Sequence, residues 1–541
     1  MFFSLATSTL LVGYASASQA QRLWPSPQLD ALDAARFDQS GFNGNFLMVF
    51  TGLDRCDNFL FGGGSTGRSN AADWIRTAYH DMATHNVTDG TGGLDASIRF
   101  TAEKSRPENA GDGFNNTFQV LSSVANRYVG FADSLAVAAV LAIENCGGPE
   151  IAFRGGRIDA GEPNAPGVPQ PQEDLETHIA AFARQGFTPT EMIGLVACGH
   201  TFGGVQYTFF PDIVDELNDP GDTEDVAHFD STSVNFDNNV AKEYISGSTQ
   251  NPLVVGFNDT TNSDKRIFGS DGNVTMNSLA SSPSLYASTC ADLFARMLDT
   301  VPHGVQLTDV ITPLPVKLAN VEFTMANDTM MLGGQVRFWN HTEESAGTVQ
   351  MLWDDHLGAI GNTTLGFAGA GSATGGKYTS AWYGFDPTGS PFASLSLDPA
   401  AGIQRLRFVI DGKLEDQGGV GFAVQDAYMF SESSCLYNSS VSPEGDVTAS
   451  GRVDIAVRNG VNLTRVYLET VTQDGEGRIV IVEIDIPRPE QRIAVNSAYS
   501  LWNLNTTSVD EFTIGAEIDG QTYSTTQLRS VLDSDFLPCG A

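Results

Sequence analysis

The hydrophobic pattern of this chain changes from a helical period in the first half to a strand period in the second. Trp74, Ala78 and Met82 recur every four residues in the segment that follows Asn70, and Asn70 is a candidate N-cap. This segment is therefore predicted to be an amphipathic helix. Residues 301–315 contain three prolines and no helical period. We expect a helical unit that ends before a linker at this point.

Other helices are predicted by the same period and by start signals. Thr188 and Glu191 form a capping box with a proline between them, which predicts that a helix starts there and runs toward His200. The remaining predicted helices cover residues 117–128, 132–144, 173–185, 238–244 and 285–298. Residues 21–69, with one short helix, and residues 202–267 lack a long periodic run and are expected to be mostly irregular.

The second half alternates between apolar and polar residues in short runs, which is the pattern of β-strands. Runs such as VEFTMA and RIVIVEIDI are separated by turn residues, and Asp411-Gly412 is typical of a two-residue hairpin turn. The predicted fold class is a mainly α domain over residues 21–300, followed by an all-β sandwich- or barrel-like domain over residues 316–541. The sequence of this second domain contains no recognisable catalytic group of residues.

The first twenty residues are apolar and end in the small residues that signal peptidases favour, Ser18-Gln19-Ala20. This pattern predicts a secretory signal peptide over residues 1–20. No later run is long and apolar enough to span a bilayer, and the ending SDFLPCGA is too polar for a lipid-anchor signal. We expect a secreted, extracellular protein without a transmembrane segment.

The charge of the chain limits its partners. The formal net charge is -36 over 541 residues, and the acidic residues are spread along the whole chain. Nucleic acid and anionic membranes repel such a surface, so both are excluded as partners. A secreted protein that works in an acidic medium fits this charge better.

Cysteines and glycosylation motifs agree with export. Six cysteines in an exported chain predict three disulfides, and order alone allows fifteen connectivities. The pairs Cys56–Cys146, Cys198–Cys290 and Cys435–Cys539 would keep bridges within domains, and sequence position alone favours only the last of them. Acceptor motifs for N-glycosylation are abundant. Their asparagines include Asn115, Asn258, Asn273, Asn327, Asn340, Asn362, Asn438, Asn462 and Asn505.

Arg76 and His80 form the first candidate for catalysis. They are four residues apart in the predicted helix, so a fixed cation and an imidazole share one face. Heterolytic cleavage of a peroxide requires this combination, because the imidazole transfers a proton between the two oxygens while the guanidinium stabilises the developing charge. Taken alone, such a pair is more often an exposed Arg and a His on a helix surface, so the rest of the chain has to support the catalytic interpretation.

Several motifs in a fixed order connect this pair to a known family. RTAYHD contains Arg76 and His80, PENAG follows, and LVACGHTFGG surrounds His200. Together they resemble the secreted haem peroxidases of the plant and fungal superfamily, of the class II type, over residues 50–300. The resemblance implies a haem-dependent peroxidase that reduces hydrogen peroxide.

On the distal side of the haem, the resemblance makes Arg76 and His80 the catalytic pair. Asn109 would accept a hydrogen bond from His80 and thereby keep the other imidazole nitrogen basic. Glu103 lies where the family often has a carboxylate that supports this asparagine. Tyr79 lies where the family usually has Phe or Trp, so it would contact the haem.

On the proximal side, the resemblance implies that His200 is the axial ligand of a haem b iron. Asp271, in the GSDGN segment, would bind the other nitrogen of this imidazole and lower the reduction potential of the iron. Phe229 replaces the buried tryptophan of the cytochrome c peroxidase type. The porphyrin is therefore expected to hold any second oxidising equivalent.

Two calcium ions follow from the same resemblance, one beside each working histidine. Both segments present oxygen atoms at alternating positions, which suits calcium, and acidic turns without a metal are the alternative. The distal ligands would be Asp81, Gly93, Asp95 and Ser97, and the proximal ligands Thr201, Asp230, Thr232, the Asn235 carbonyl and Asp237.

Three departures from the family pattern concern the reducing substrate. Leu195 stands where lignin and versatile peroxidases carry a surface tryptophan, whereas Gln206 and Ser69 stand where manganese peroxidases carry carboxylates. The route for long-range electron transfer through a surface tryptophan is therefore missing, and the manganese site is incomplete. The remaining expectation is one-electron oxidation of small phenols and similar aromatic donors at the haem edge.

Two alternatives remain open at this point. The chain could be a non-catalytic secreted or wall-associated protein whose β-rich domain docks on carbohydrate or another protein. It could also be a peroxidase that uses a tyrosyl radical, for which Tyr79 and Tyr207 are candidates by their position in the sequence.

Overall fold

The computed structural model describes residues 26–44, 47–62, 66–390, 392–442, 447–507 and 510–540. The predicted signal peptide lies outside these residues. The described chain is mainly helical up to residue 298 and rich in β-strands from residue 316 onward, which confirms the predicted fold class.

Helices dominate the described residues of the first half, and three short strands interrupt them. The helices are α1 (Pro27–Phe37), α2 (Leu47–Gly52), α3 (Asn70–Met82), α4 (Thr101–Lys104), α5 (Gly113–Leu121), α6 (Phe131–Asn145), α7 (Leu175–Arg184), α8 (Pro189–Gly199), α9 (Asn239–Ser246), α10 (Pro252–Val255), α11 (Ser263–Phe268), α12 (Val274–Ser281) and α13 (Pro283–Leu298). The short strands are β1 (Ser40–Gly41), β2 (Gly204–Gln206) and β3 (Val226–His228). The predictions of α6, α7, α9 and α13 were correct within two residues at each end, whereas α5 starts four residues and ends seven residues before the predicted 117–128. Helices α10, α11 and α12 were not predicted.

The start of α3 differs by one residue from its prediction. Ser69, rather than Asn70, is the N-cap, because its hydroxyl accepts the Ala72 N–H at 3.2 Å. Asn70 lies inside the first turn, where its amide donates to the carbonyls of Gly52 at 3.1 Å and Asn58 at 3.0 Å. Asn70 thus fastens the preceding segment to the start of α3.

The capping box of α8 is present as predicted. The Thr188 hydroxyl accepts the Glu191 N–H at 3.3 Å, and the Glu191 carboxylate accepts the Thr188 N–H at 2.7 Å. The helix ends at Gly199, so His200 is its C-cap residue. This position directs His200 out of the regular helix and toward the interior of the domain.

The helical half packs around α6, which is buried along nearly its whole length. Two disulfides, Cys56–Cys146 and Cys198–Cys290, tie distant parts of this half together, and Cys435–Cys539 closes the β-rich region. All six cysteines are therefore paired in the within-domain connectivity. Each bridge closes a long loop, which stabilises the fold by roughly 4 kcal/mol in the chain-entropy model.

Where the structure describes it, the second half consists of three sheets and one short helix, α14 (Glu343–Ala346). Its strands are β4 (Val316–Ala326), β5 (Thr329–Trp339), β6 (Val349–Asp354), β7 (Ile360–Thr364), β8 (Gly366–Ala373), β9 (Tyr378–Gly384), β10 (Ser394–Leu397), β11 (Arg405–Ile410), β12 (Lys413–Glu415), β13 (Phe422–Ala423), β14 (Tyr428–Ser431), β15 (Cys435–Val441), β16 (Val447–Arg458), β17 (Leu463–Gln473), β18 (Ile479–Asp485), β19 (Ile493–Ala494), β20 (Tyr499–Thr506), β21 (Phe512–Ile518), β22 (Gln521–Ser524) and β23 (Leu537–Pro538). The predicted hairpin turn joins β11 to β12, and both Asp411 and Gly412 have positive φ.

The sheets pack in layers, as the predicted sandwich requires. A long sheet has the order β1-β8-β9-β5-β4-β14-β16-β15-β23, with β10, β19 and β20 paired to its strands. The sheets β12-β11-β6-β7 and β18-β17-β21-β22 cover it through two separate apolar clusters. Phe338 and Phe408 meet in the first cluster, whereas Phe430 and Leu468 belong to the second.

The two halves share a sheet and a buried group of charges. β1 comes from the helical half and pairs antiparallel with β8. Beside this pair, Asp33 and Asp38 of the N-terminal segment contact Lys317 of β4 and Arg337 of β5 at 2.5–3.1 Å. Because all four side chains are buried, separating the halves would expose paired charges and break the shared sheet.

Among the described residues, no helix combines the length and apolarity needed to cross a membrane.

Candidate functional site

Arg76, His80 and His200 line one cavity of about 700 Å³. Helix α3 provides the first two side chains, and the end of α8 provides the third. The volume lies in the upper range of pockets that bind organic cofactors. The sequence-predicted residues from opposite sides of the expected haem thus face a common space.

On the α3 side, His80 is fixed by Asn109. The His80 Nδ1 and Asn109 Oδ1 atoms are 2.8 Å apart, and the Asn109 Nδ2 donates to the Glu103 carbonyl at 2.9 Å. Because the amide nitrogen is already used as a donor, Asn109 Oδ1 must accept, so Nδ1 carries the imidazole hydrogen. His80 Nε2 is then the unprotonated atom. The support for Asn109 comes from the Glu103 backbone and not, as expected from the family, from its carboxylate.

Burial and the nearby Arg76 lower the pKa of His80 to about 3. The imidazole is therefore neutral at ordinary pH and available to accept a proton. Burial also lowers the pKa of Arg76 to about 10, which leaves the guanidinium charged near neutrality. Arg76 donates to the Ala110 carbonyl at 2.9 Å and lies 4.5 Å from the centre of the Phe114 ring. These contacts hold the cation close enough to His80 to lower the pKa of the imidazole.

We predict that the rate constant for reaction with hydrogen peroxide is independent of pH over about pH 5–8 and halves only near pH 3, the pKa of His80. The lowered pKa also means that the unfolded chain binds a proton between about pH 6.5 and 3 that the folded chain excludes. The stability associated with His80 is therefore lost as the pH falls through this window. Stopped-flow absorbance at several pH values measures the rate constant, and a midpoint near pH 6 would contradict the prediction.

Tyr79 also lines the cavity. Its ring stacks on Phe182 at 6.0 Å and meets the His80 ring edge-on at 6.0 Å. Burial raises the pKa of its hydroxyl despite the nearby Gln185 amide and Arg184. Tyr79 therefore stays protonated and acts as an aromatic wall, which is the place that the resemblance gave it.

On the α8 side, His200 pairs with Asp264 and not with the predicted Asp271. The His200 Nδ1 donates to Asp264 Oδ2 at 2.8 Å, and the Asn251 amide donates to the same oxygen at 2.8 Å. Asp271 instead accepts the backbone N–H groups of Val274 at 3.0 Å and Thr275 at 2.9 Å, which caps α12. The prediction of Asp271 was wrong, because its turn is a helix cap at the edge of the domain.

The sequence contained a weak signal for Asp264. In α11 this residue is three and four positions before Ile267 and Phe268, so it shares their buried face. An aspartate on the apolar face of a short helix needs a partner. The region was predicted to be irregular because α11 is less than two turns long, and this hid the signal.

The residues around His200 fit a haem. With Nδ1 donating to Asp264, His200 Nε2 is free to coordinate iron. Phe229 stacks on the His200 ring at 4.0 Å and 12°, and Leu195 and Phe294 add apolar wall to the cavity. His200 would hold the iron, and these side chains would contact the porphyrin.

The predicted distal calcium ligands do not converge on an open position. The Asp81 carboxylate accepts backbone N–H groups of Asp95 at 2.8 Å, Ala96 at 2.7 Å and Ile98 at 2.9 Å. Ser97 donates to Asp81 and to Glu103, and Gly93 N–H donates to the Thr84 hydroxyl. Asn164 fills the space beside Asp95. Burial and the charge of Asp95 raise the pKa of Asp81 well above its usual range, but the Asn164 amide lies where the oxygens of Asp95 and Ser97 converge, so a metal ion does not fit while this side chain is in place.

The predicted proximal ligands, unlike the distal ones, include a buried carboxylate oxygen without a hydrogen-bond partner. The Thr201 hydroxyl donates to the Asp237 carbonyl at 2.9 Å, and Thr232 N–H donates to Asp230 Oδ1 at 2.8 Å. Asp230 Oδ2 is buried and has no hydrogen-bond partner, and burial with the charge of Asp237 raises the pKa of Asp230 to about 7. Asn235 N–H closes this loop on the Thr232 carbonyl at 2.8 Å. Carboxylate and hydroxyl oxygens in such an arrangement fit a calcium ion.

The mouth of the cavity carries an acidic group that the sequence analysis missed. Arg68 contacts the carboxylates of Asp73 at 2.8 Å, Asp112 at 2.9 Å and Glu224 at 3.5 Å. Gln206 Nε2 donates to Glu224 at 2.6 Å. Arg68 thus occupies the centre of this cluster. No motif predicted it, because the three carboxylates come from separate segments.

Comparison with known proteins agrees with the geometry of the first half. The model of the peroxidase family matches residues 59–286. A WSC domain-containing protein of Arthroderma benhamiae is 35% identical over 371 residues, which cover 67% of this chain and 50% of that protein. An Arabidopsis thaliana protein named L-ascorbate peroxidase 5, peroxisomal, is 34% identical over 138 residues, 26% of this chain and 49% of that protein.

A mitochondrial cytochrome c peroxidase of Emericella nidulans is 27% identical over 224 residues, 37% of this chain and 62% of that protein. The chain spans about half the length of the curated relatives it matches first. The matched range contains His80 and His200 of the cavity and the residues that hold them. The N-terminal half of this chain is therefore a domain of the peroxidase family, followed by a C-terminal β-rich region.

Proposed function

We propose that the chain is a haem-dependent peroxidase that reduces hydrogen peroxide and oxidises small aromatic donors by one-electron steps. The observation that carries the proposal is the pair of oppositely oriented imidazoles in one cavity. His80 presents a neutral, unprotonated Nε2 beside Arg76, and His200 presents Nε2 with its Nδ1 hydrogen bound to Asp264.

The chain's own residues perform the proton chemistry. When bound, the haem supplies the redox-active iron that exchanges electrons with peroxide and donor. His80 Nε2 accepts the proton of one peroxide oxygen and returns it to the other, while Arg76 stabilises the charge that develops as the oxygen–oxygen bond breaks. Asn109 keeps the imidazole in the required tautomer. Over one cycle, peroxide is reduced to two waters and two donor molecules each lose one electron and one proton.

Small phenols and related aromatic compounds are the proposed donors. Phe209 and Phe210 lie at the cavity together with Pro169 and Pro171, which provides apolar contact for an aromatic ring. Leu195 is buried and provides no surface redox group. Arg68 already neutralises part of the acidic cluster at the mouth. These features support a donor that reaches the haem edge directly.

Secretion, glycosylation and one calcium ion belong to the same proposal. Three disulfides support an oxidising compartment. None of the nine acceptor asparagines named above is buried, which supports glycosylation. The orphaned oxygen of Asp230 supports calcium beside His200. Docking of the β-rich region on carbohydrate or another protein stays a prediction.

An absorption spectrum of the purified full-length protein tests the proposal. We expect a Soret band that shifts within seconds of adding equimolar hydrogen peroxide and returns when a phenol is added. The donor panel includes a phenol, manganese(II), ascorbate and a non-phenolic aromatic of high potential. Absence of the Soret band after haem reconstitution would favour the non-catalytic binding protein. Turnover with manganese(II) or ascorbate alone would contradict the proposed donor class.

A further inference from the structure

Asn164 lies at the centre of a group of oxygen atoms. Its Nδ2 atom is 3.0 and 2.9 Å from the two carboxylate oxygens of Asp95, 2.9 Å from Ser97 Oγ and 3.3 Å from Thr84 Oγ1. An amide nitrogen has only two hydrogens. Four oxygens around one such atom exceed its hydrogen-bonding capacity and resemble the shell of a small hard cation.

The neighbouring carboxylates accept hydrogen bonds from the chain, although burial and the charge of Asp95 raise the pKa of Asp81 well above its usual range. Asp81 accepts three backbone N–H groups, and Ala96, with a φ of 60°, turns these groups toward it. Glu103 accepts the Asn164 N–H at 2.8 Å and the Ser97 hydroxyl at 3.2 Å, with Arg106 at 3.9 Å. Asp81 and Glu103 thus have donors from the chain, although burial still raises the pKa of both carboxyls, that of Glu103 to about 7.

We propose that the Asn164 side chain replaces the distal cation in this chain, so that the distal half of the site is cation-independent. The partial positive charge of the amide hydrogens occupies the position at which Asp95, Ser97 and Thr84 converge. A metal ion could bind there only after Asn164 had moved away. The inference does not require that the chain turn over peroxide.

Hydrogen bonds connect Asn164 to the catalytic histidine of the distal side. Its backbone N–H holds the Glu103 carboxylate, and the Glu103 carbonyl accepts from Asn109, which holds His80. Asn164 therefore connects the segment between α6 and α7 to the working imidazole. It is a positioning residue, and it does not contact the cavity.

Calcium content measured in matched variants tests the inference. Asp230→Asn removes the proposed proximal ligand with the unpaired oxygen, so this background isolates the distal position. Asn164→Asp is added to it, because a second carboxylate beside Asp95 needs a cation and the backbone N–H to Glu103 is retained. Asn126→Asp, at an exposed turn where the side chain accepts the Tyr128 N–H, adds the same charge elsewhere and is the control.

Each protein is stripped with EGTA, reloaded with calcium at about 0.15 M salt to suppress surface binding, gel-filtered and analysed for calcium by atomic emission. We expect no calcium in Asp230→Asn, one ion per chain after adding Asn164→Asp, and none after adding Asn126→Asp. Calcium should also raise the thermal midpoint of the Asn164→Asp double variant only.

Two results would overturn the inference: a tightly held calcium in Asp230→Asn, or no gain from Asn164→Asp in a protein that still unfolds cooperatively. The unmodified protein is measured alongside. If it too holds no calcium, the proposed proximal ion is wrong, while the Asn164 variants still decide the distal question.

Discussion

His80→Leu is expected to bind haem like the parent protein and to react with hydrogen peroxide roughly a thousand times more slowly. Leucine fits the site, because the imidazole is buried and its ring lies 5.0 Å from the Phe114 ring. Arg76 cannot take over as a base, since its guanidinium has a pKa of about 10. Stopped-flow absorbance in the Soret region measures the rate constant.

His85→Leu is the matched control for this variant. His80 and His85 are each 9% exposed and each has one Nδ1 hydrogen bond, to Asn109 and to the Gly92 carbonyl at 3.0 Å. His85 does not line the cavity. Its replacement should therefore lose similar stability and keep the parent rate with peroxide. If His80→Leu reacted at the parent rate, the assigned proton transfer would be wrong.

The predictable part of this protein is the part encoded in long periods and local signals. Helices α6 and α13 were predicted closely because their apolar faces repeat over many residues, and α8 because Thr188 and Glu191 form its capping box. The alternating second half predicted layered sheets for the same reason. In each case the decisive information lies within about fifteen residues of the element, which a sequence pattern can hold.

The distal pair was predictable because Arg76 and His80 share one helix, and helical geometry fixes their common face. The partner of His200 was not, since Asp264 and Asp271 are only seven residues apart and both follow small polar residues. Tertiary packing decides between them: α11 turns Asp264 inward beside Asn251, while Asp271 caps α12 outside. The oxygen shell around Asn164 likewise combines distant segments.

Asp264 accepts the His200 N–H and Asp271 does not, so we expect only the replacement of Asp264 to change the properties of the haem iron. In Asp264→Asn, the imidazole of His200 loses an anionic partner and keeps only a neutral acceptor, so its basicity falls. We expect the iron(III)/iron(II) reduction potential to rise and the rate of peroxide turnover to fall about 10- to 100-fold. Spectroelectrochemistry on the haem-loaded protein measures the potential, and steady-state oxidation of a phenol measures turnover.

Asp271→Asn makes the same chemical change seven residues away. Asparagine remains a good acceptor at a helix start, so this variant should lose a few tenths of a kcal/mol at most and keep the parent potential. A simple loss of stability would affect turnover in both variants and leave the potential unchanged. A shift in potential confined to Asp264→Asn therefore identifies the carboxylate that acts through His200. The opposite result, with only Asp271→Asn shifting the potential, would restore the original prediction from the sequence.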